Sequence, residues 1–345
     1  MSERATRARW HRLFALFASG FLCSAPAAAE RARAEGVPVI DLRVGFSYSL
    51  GRDPSLATGS GQAGYVELAK GGVVGVLLPF PAHLDERPAE PPLGSYLPLR
   101  AALAASQRFT VDHCQRSTTE ISAWLELEAP DELVREPTAV GLWAERGARV
   151  FAIASEHDNE LTTAATGFAP GPVTGLTRAG RDVVSRILSV GGIVDVSGAS
   201  ELSIDEVVQL ALKAKLPVIA THSNARALAD QPRNLSDASL RAIARTGGLI
   251  GATAAHGLIA PGRSATLEHV VRQILYLVRV AGAEHVALGI GFESGAGPVR
   301  DFESARDFPR LARALRAAGL RSVDVQRVFH DNAWRVLCGG PRPRE

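Results

Sequence analysis

The side chains in this 345-residue chain that could do chemistry stand at the ends of short apolar runs. Glu128 and His222 each close such a run. A carboxylate and an imidazole at these points can ligate a metal ion or move a proton. Arg43 closes another run, and Arg233 follows Pro232. Their guanidiniums offer a planar fork of donors that suits a carboxylate. Ser155, Glu156, His157 and Asp158 stand together after a further run, with His256 and Glu293 after two more. Each residue also has a plainer role. Glu128 can be an ion-pair partner and His222 a hydrogen-bonded polar residue. His157 and Asp158 can bond to the backbone of their own loop, and His256 can lie on the surface. Arg233 can form a structural salt bridge, and Glu293 can serve as an offset carboxylate ligand.

The runs that must position these residues alternate with helical patterns. Strands are expected at 37–46, 73–80, 121–128, 149–154, 193–197, 217–222, 249–254 and 285–292. Their nearly continuous Val, Ile and Leu content suits parallel strands covered on both faces. Thr177 opens a helical run with Val183, Val184, Ile187 and Leu188 on one face, stopped by Gly191 and Gly192. Ser203 to Glu206 reads as a capping box for the next helix, and Ser236 or Asp237 can cap the one after. Further amphipathic helices are expected at 268–280 and 308–318. Eight such units over about 300 residues predict a (β/α)8 TIM barrel, with a doubly wound open sheet as the rival. An open sheet of that kind usually carries a glycine-rich loop after its first strand, whereas Phe46-Ser47-Tyr48-Ser49 stands here. The Pro-rich stretch at 81–120, with a helix at 99–106, is expected to be an inserted connection within one domain covering 30–345.

Residues 1–29 read differently. Four arginines precede an apolar run from Leu13 to Cys23, and Ala25-Pro26-Ala27-Ala28-Ala29 follows. This is the pattern of a secretory signal peptide, which predicts export to a periplasm or the exterior. Removing it takes four arginines and one glutamate from 38 basic and 36 acidic residues, and the net charge falls from +2 to −1. No basic stripe remains for nucleic acid, and no other run has the apolar length of a membrane span. Cys114 and Cys338 would remain after cleavage and could pair in an oxidising compartment.

Several stretches resemble the membrane (renal) dipeptidase family of zinc metallopeptidases. They are Gly175-Leu176-Thr177-Arg178-Ala179-Gly180-Arg181, Gly192-Ile193-Val194-Asp195-Val196-Ser197 and Pro217 through Leu228 with its Thr221-His222-Ser223-Asn224. Pro232-Arg233-Asn234-Leu235, Gly247 to Gly251 and His285 to Gly289 continue the likeness. It is specific from 175 to 292 and looser before that.

The resemblance implies an amidohydrolase-type barrel with a two-zinc site that hydrolyses dipeptides. It also implies ligand positions, and this chain departs from most of them. A first-strand His-x-Asp is here Arg43-Val44-Gly45. A His after the Asp-Val-Ser stretch is Gly198, and an Asp ending the last strand is Gly291. Glu128 matches the bridging Glu of the third strand and His222 a ligand His, so these two are the relict metal positions. A substrate-contacting His corresponds to Ser155, and an Arg that contacts the substrate carboxylate corresponds to Arg233. Glycine offers no side-chain ligand, and arginine keeps its proton. Two zinc ions cannot be held by one Glu and one His. The expectation is therefore a family member without a metal cofactor, inactive or strongly impaired, with Arg43 replacing the cation beside Glu128. Its pocket would take a short peptide or another small carboxylate. The rival expectation is a remodelled single-zinc hydrolase recruiting His157, Asp158, His256 or Glu293.

Overall fold

In the computed structural model the described residues are 36–45, 61–81, 93–111, 114, 120–128, 133–134, 136–154, 156–166, 173–261, 264–293 and 299–339. The expected signal segment 1–29 lies outside them. Nine strands are described: β1 (Val39–Asp41), β2 (Val73–Pro81), β3 (Phe109–Val111), β4 (Ile121–Glu128), β5 (Ala148–Ala152), β6 (Ile193–Asp195), β7 (Val218–Ala220), β8 (Leu249–Ala252) and β9 (Val286–Leu288). All pair in parallel. Pairing of β2 with β4 and of β1 with both β2 and β9 closes eight of them into a barrel, so the open-sheet rival falls. β3 is the extra strand. It pairs with the first three residues of β4, and β5 pairs further along the same strand. The inserted connection also carries helix α1 (Leu93–Ser106), which starts earlier than expected.

The helices form because their apolar residues recur on one face. In α2 (Arg178–Ser189), Gly180, Val183, Val184, Ile187 and Leu188 are buried, and the Thr177 side chain caps the start by accepting from Gly180 N. α3 (Glu201–Ala214) corrects an expectation. Its cap is Ser200, which accepts from Ser203 N, so the helix begins before the apparent capping box at 203–206. Ser203 is instead fully buried within the helix, its hydroxyl 2.6 Å from that of Thr162. In α4 (Asp237–Arg245) the cap is Ser236, which settles the choice left open by the sequence. α5 (Leu267–Ala281) buries Val270, Val271, Ile274 and Leu277.

Two apolar layers result. One lies between the barrel and its helices. The other fills the barrel itself, with Ile40, Leu42, Leu77, Trp124, Val150, Ile193, Ile219, Leu249 and Ala287 in mutual contact. The last helix, α6 (Asn332–Gly339), adds Ala333, Val336 and Leu337 to this inner layer and so plugs one end. Arg149 holds the plug by donating to Leu337 O at 3.2 Å and Gly191 O at 3.0 Å. Cys114 and Cys338 form a disulfide that ties the β3–β4 connection to the same helix. With that end sealed, the polar strand-end residues gather at the other end, the mouth, where the strands finish.

The bond closes a loop that spans most of the chain, so it restricts the unfolded state strongly. Cys338→Ser is expected to lower stability by about 2–5 kcal/mol in chemical denaturation. Non-reducing peptide mapping should recover the 114–338 link. Free thiols at both positions would refute the pairing.

Candidate functional site

Alternation along each strand builds the mouth. Trp124 belongs to the inner apolar layer, so Glu126 and Glu128 follow on the same face, one and two steps nearer the mouth. By the same step Asp195 follows Ile193, and Thr221 follows Ile219. Polar groups here are deeply buried. Glu126 is 0% exposed and Asp195 1% exposed.

Arg43 provides the positive charge. It is 8% exposed, and its Nη1 donates to Glu128 Oε1 and to Glu126 Oε2, the latter at 3.4 Å. Burying a carboxylate without a partner is costly, and this guanidinium serves both acids. Asp195 receives four donors: Ser197 N at 2.9 Å, Ser197 Oγ at 2.7 Å, Thr221 N at 3.0 Å and Thr221 Oγ1 at 2.8 Å. Four donors satisfy its buried oxygens. Glu126 sits beside it and is different. Burial first, then the charge of Asp195, pushes its carboxyl well above the ordinary value. Oε1 of Glu126 accepts no hydrogen bond from the described residues, while a proton on that carboxyl can be shared with Asp195.

His222 continues the network outward. Thr221 Oγ1 gives its proton to Asp195, so it accepts from His222 Nδ1 at 2.8 Å. The imidazole is then neutral, with its remaining lone pair on Nε2. That lone pair faces Arg233 Nη2 at 3.1 Å, which must be the donor. Burial, followed by the charges of Arg43 and Arg233, holds the His222 value well below the ordinary one. Arg233 Nη1 also donates to Glu156 Oε1 at 3.1 Å.

The loop carrying Arg233 is built from side-chain amides. Asn224 Nδ2 donates to Thr253 O at 3.0 Å, and Asn234 Nδ2 to Ala229 O and Leu258 O, both at 2.8 Å. Gln273 on α5 accepts from Ala225 N at 3.0 Å. These bonds satisfy a buried loop backbone, and they fix where Arg233 emerges.

Other candidates from the sequence are placed elsewhere. The Glu293 carboxylate accepts from the main-chain amides of Gln62 and Ala63, just before helix Tyr65–Lys70. His256 Nε2 accepts from Ala265 N at 3.1 Å. Asp158 accepts from Ala164 N at 2.7 Å, and His157 is exposed beside it. Ser155 lies outside the described residues. Gly45 donates its amide to Phe292 O at 2.8 Å. Gly198 and Gly291 adopt φ of 78° and 87°, a left-handed conformation in which a side chain is strained. Among the described residues, no three His, Cys, Asp or Glu side chains are grouped to hold a metal ion.

The residues overlooked in the sequence are Asp41, Glu126 and Asp195. Glu126 carried a signal, because it lies two residues from Glu128 in a strand of alternating faces. Asp41 is fully buried. Its Oδ1 accepts from Arg43 N at 3.1 Å and Ile290 N at 3.0 Å, and its Oδ2 meets no donor among the described residues. Burial raises its carboxyl to about 7 against those two bonds.

A match to the model of the membrane dipeptidase family, peptidase family M19, runs over residues 30–339. The chain belongs to that family. A protein from Klebsiella pneumoniae, named only as an uncharacterized protein in the pqqA 5' region, is 37% identical over 186 residues. That match spans 52% of this chain and 67% of the relative. The dipeptidase tcpJ of Claviceps purpurea is 28% identical across 61% of this chain, which spans about half (49%) of that relative. Among solved structures, the dipeptidase AC of family M19 superposes with a TM-score of 0.76 at 24% identity, over 88% of this chain and 98% of the other. A Rhodobacter sphaeroides metallopeptidase, bound to a phosphinate mimic of L-Ala-D-Ala, gives 0.75 at 23% identity, over 88% and 99%. These likenesses establish the barrel fold.

Two outcomes follow from the charges. Arg43→Ala leaves the buried Glu126 and the half-buried Glu128 without their cation and is expected to cost about 3 kcal/mol in urea denaturation. An unchanged midpoint would show that the pair does not carry the site. Asp41 concerns pH. Between 3.8 and about 7 the folded state keeps a proton that the unfolded chain has lost. Its contribution therefore lowers stability as pH rises through that window and levels off above it. Asp41→Asn should gain stability over wild type at pH 8 and little at pH 4. An equal difference at both would show that Asp41 is ionised throughout.

Proposed function

We propose that this family member does not assemble the two-zinc centre, is inactive or strongly impaired as a dipeptidase, and keeps a mouth that binds a small carboxylate or short peptide. The observation that carries the reading is the position of the two guanidiniums. Arg43 occupies the side of Glu128 and Glu126 where a cation would be needed, and Arg233 engages the one lone pair of His222 that could face a metal. A zinc ion there would need both bonds broken, and Arg43 would then stand as an uncompensated positive charge beside it. The residues present do not fit a zinc pair. Gly45, Gly198 and Gly291 supply no donor, and the carboxylate of Glu293 is engaged with main-chain amides.

An anion suits the two guanidiniums better than a metal ion does. His222 lies close to both Arg43 and Arg233, whose charges act on it after burial. Relatives named as dipeptidases, and a structural neighbour bound to a dipeptide mimic, support a peptide-like carboxylate as the ligand class. Export supports the same picture. The leader pattern at 1–29 and the Cys114–Cys338 bond both suit an oxidising compartment. No helix among the described residues is long and apolar enough to cross a membrane.

Metal content decides the matter. The chain without its leader, expressed with zinc and then dialysed, is expected to retain less than about 0.1 metal per molecule. It should also leave glycylglycine uncleaved. Near-stoichiometric zinc with dipeptide turnover would overturn the proposal.

A further inference from the structure

Two charged groups at the mouth stand outside the ion-paired centre formed by Arg43, Glu126 and Glu128. Arg233 is four-fifths buried, with a side chain 21% exposed. Its Nη2 is turned inward to His222, and its Nε meets no acceptor among the described residues. Its charge is met by Glu156, whose side chain is 73% exposed and touches it through Nη1 alone. A guanidinium beside a carboxylate prefers two parallel bonds, and this one makes a single bond. The fork is only partly used.

Glu156 is not a flexible visitor. Its loop is fixed on both sides of the residue. Asn159 Nδ2 donates to Ile153 O at 3.1 Å, while Asn159 Oδ1 accepts from Leu161 N at 2.8 Å and Thr162 N at 3.0 Å. Asp158 takes Ala164 N at 2.7 Å, and Thr166 Oγ1 donates to the carbonyl of Glu156 itself at 2.5 Å. These bonds hold residues 156–166 so that Glu156 meets the largely buried Arg233 guanidinium from the solvent side.

We infer that Glu156 is a built-in competitor for the anion place at Arg233, which a small carboxylate ligand must displace in order to bind. This rests on the reading above that the mouth holds a ligand pocket and not a metal centre. The chemistry sets the ligand class: a monocarboxylate small enough to enter beside His222, such as an acylated amino acid. It also sets the strength of the competition. A mostly exposed ion pair contributes little, so Glu156 lowers affinity without abolishing it. The ligand's carboxylate takes over the bond to Nη1. Glu156, already mostly in water, turns to solvent at small cost.

The test uses the chain without its leader, at constant ionic strength. N-acetylglycine is titrated by ligand-observed NMR, with neutral N-acetylglycinamide as the control, against wild type, Glu156→Ala and Glu156→Ala/Arg233→Gln. Residue 156 is exposed, so its truncation should leave the fold intact, which the thermal midpoint checks. The expected result is about fivefold tighter N-acetylglycine binding in Glu156→Ala than in wild type, no binding of the amide, and loss in the double variant. Equal affinity in wild type and Glu156→Ala would overturn the competitor role while leaving the pocket standing. Binding that survives in the double variant would place the anion elsewhere and overturn the inference. No binding to any form would overturn the inference and the pocket together. The zinc measurement above fails or succeeds independently of all three.

Discussion

The structure depends on how buried carboxyls are neutralised at the mouth of a closed barrel. Glu126, Glu128 and Asp195 converge there because alternate residues of parallel strands must share the barrel interior. Taking such groups out of water is costly unless each finds a cation, a proton or a set of donors. All three solutions are used. Glu128 has Arg43, Asp195 has four hydrogen-bond donors, and burial beside Asp195 pushes the Glu126 carboxyl well above its ordinary value, toward the protonated form.

These solutions are linked, so the site behaves as one network. The carboxylate of Asp195 orients Thr221, Thr221 sets the tautomer of His222, and that tautomer presents an acceptor to Arg233. Arg43 and Arg233 both act on His222 and keep it neutral, which removes the electrostatic conflict of three adjacent cations. Removing any one member leaves a buried partner unsatisfied. A network of this kind is rigid, because each member fixes the orientation of the next.

The scaffold below the mouth is indifferent to this chemistry. The inner apolar layer, the plug formed by α6 and the disulfide would support other groups at the strand ends equally well. Family membership and the barrel fold therefore say little about activity, which is decided by a handful of residues at the rim. The left-handed backbone at Gly198 and Gly291 would strain any side chain placed there.

Much of this was legible in the sequence. The apolar runs and helical periodicities located all eight barrel strands, because burial on both faces demands continuous hydrophobicity whatever the neighbours are. Arg43 was expected to face Glu128 because both end strands at a similar depth, and it does. Asp41 escaped notice because an acidic residue inside an apolar run says nothing about what will surround it, whereas Glu126 carried a signal in its two-residue spacing from Glu128. Ser203 misled, since its spacing to Glu206 imitates a cap while burial against Thr162 assigns it to the helix interior. Local pattern determined the elements and their order. Only the closure of the barrel decided which charges meet, because Arg43, Glu126, Asp195 and Arg233 are far apart in the chain, and their partners are set by strand register and loop packing.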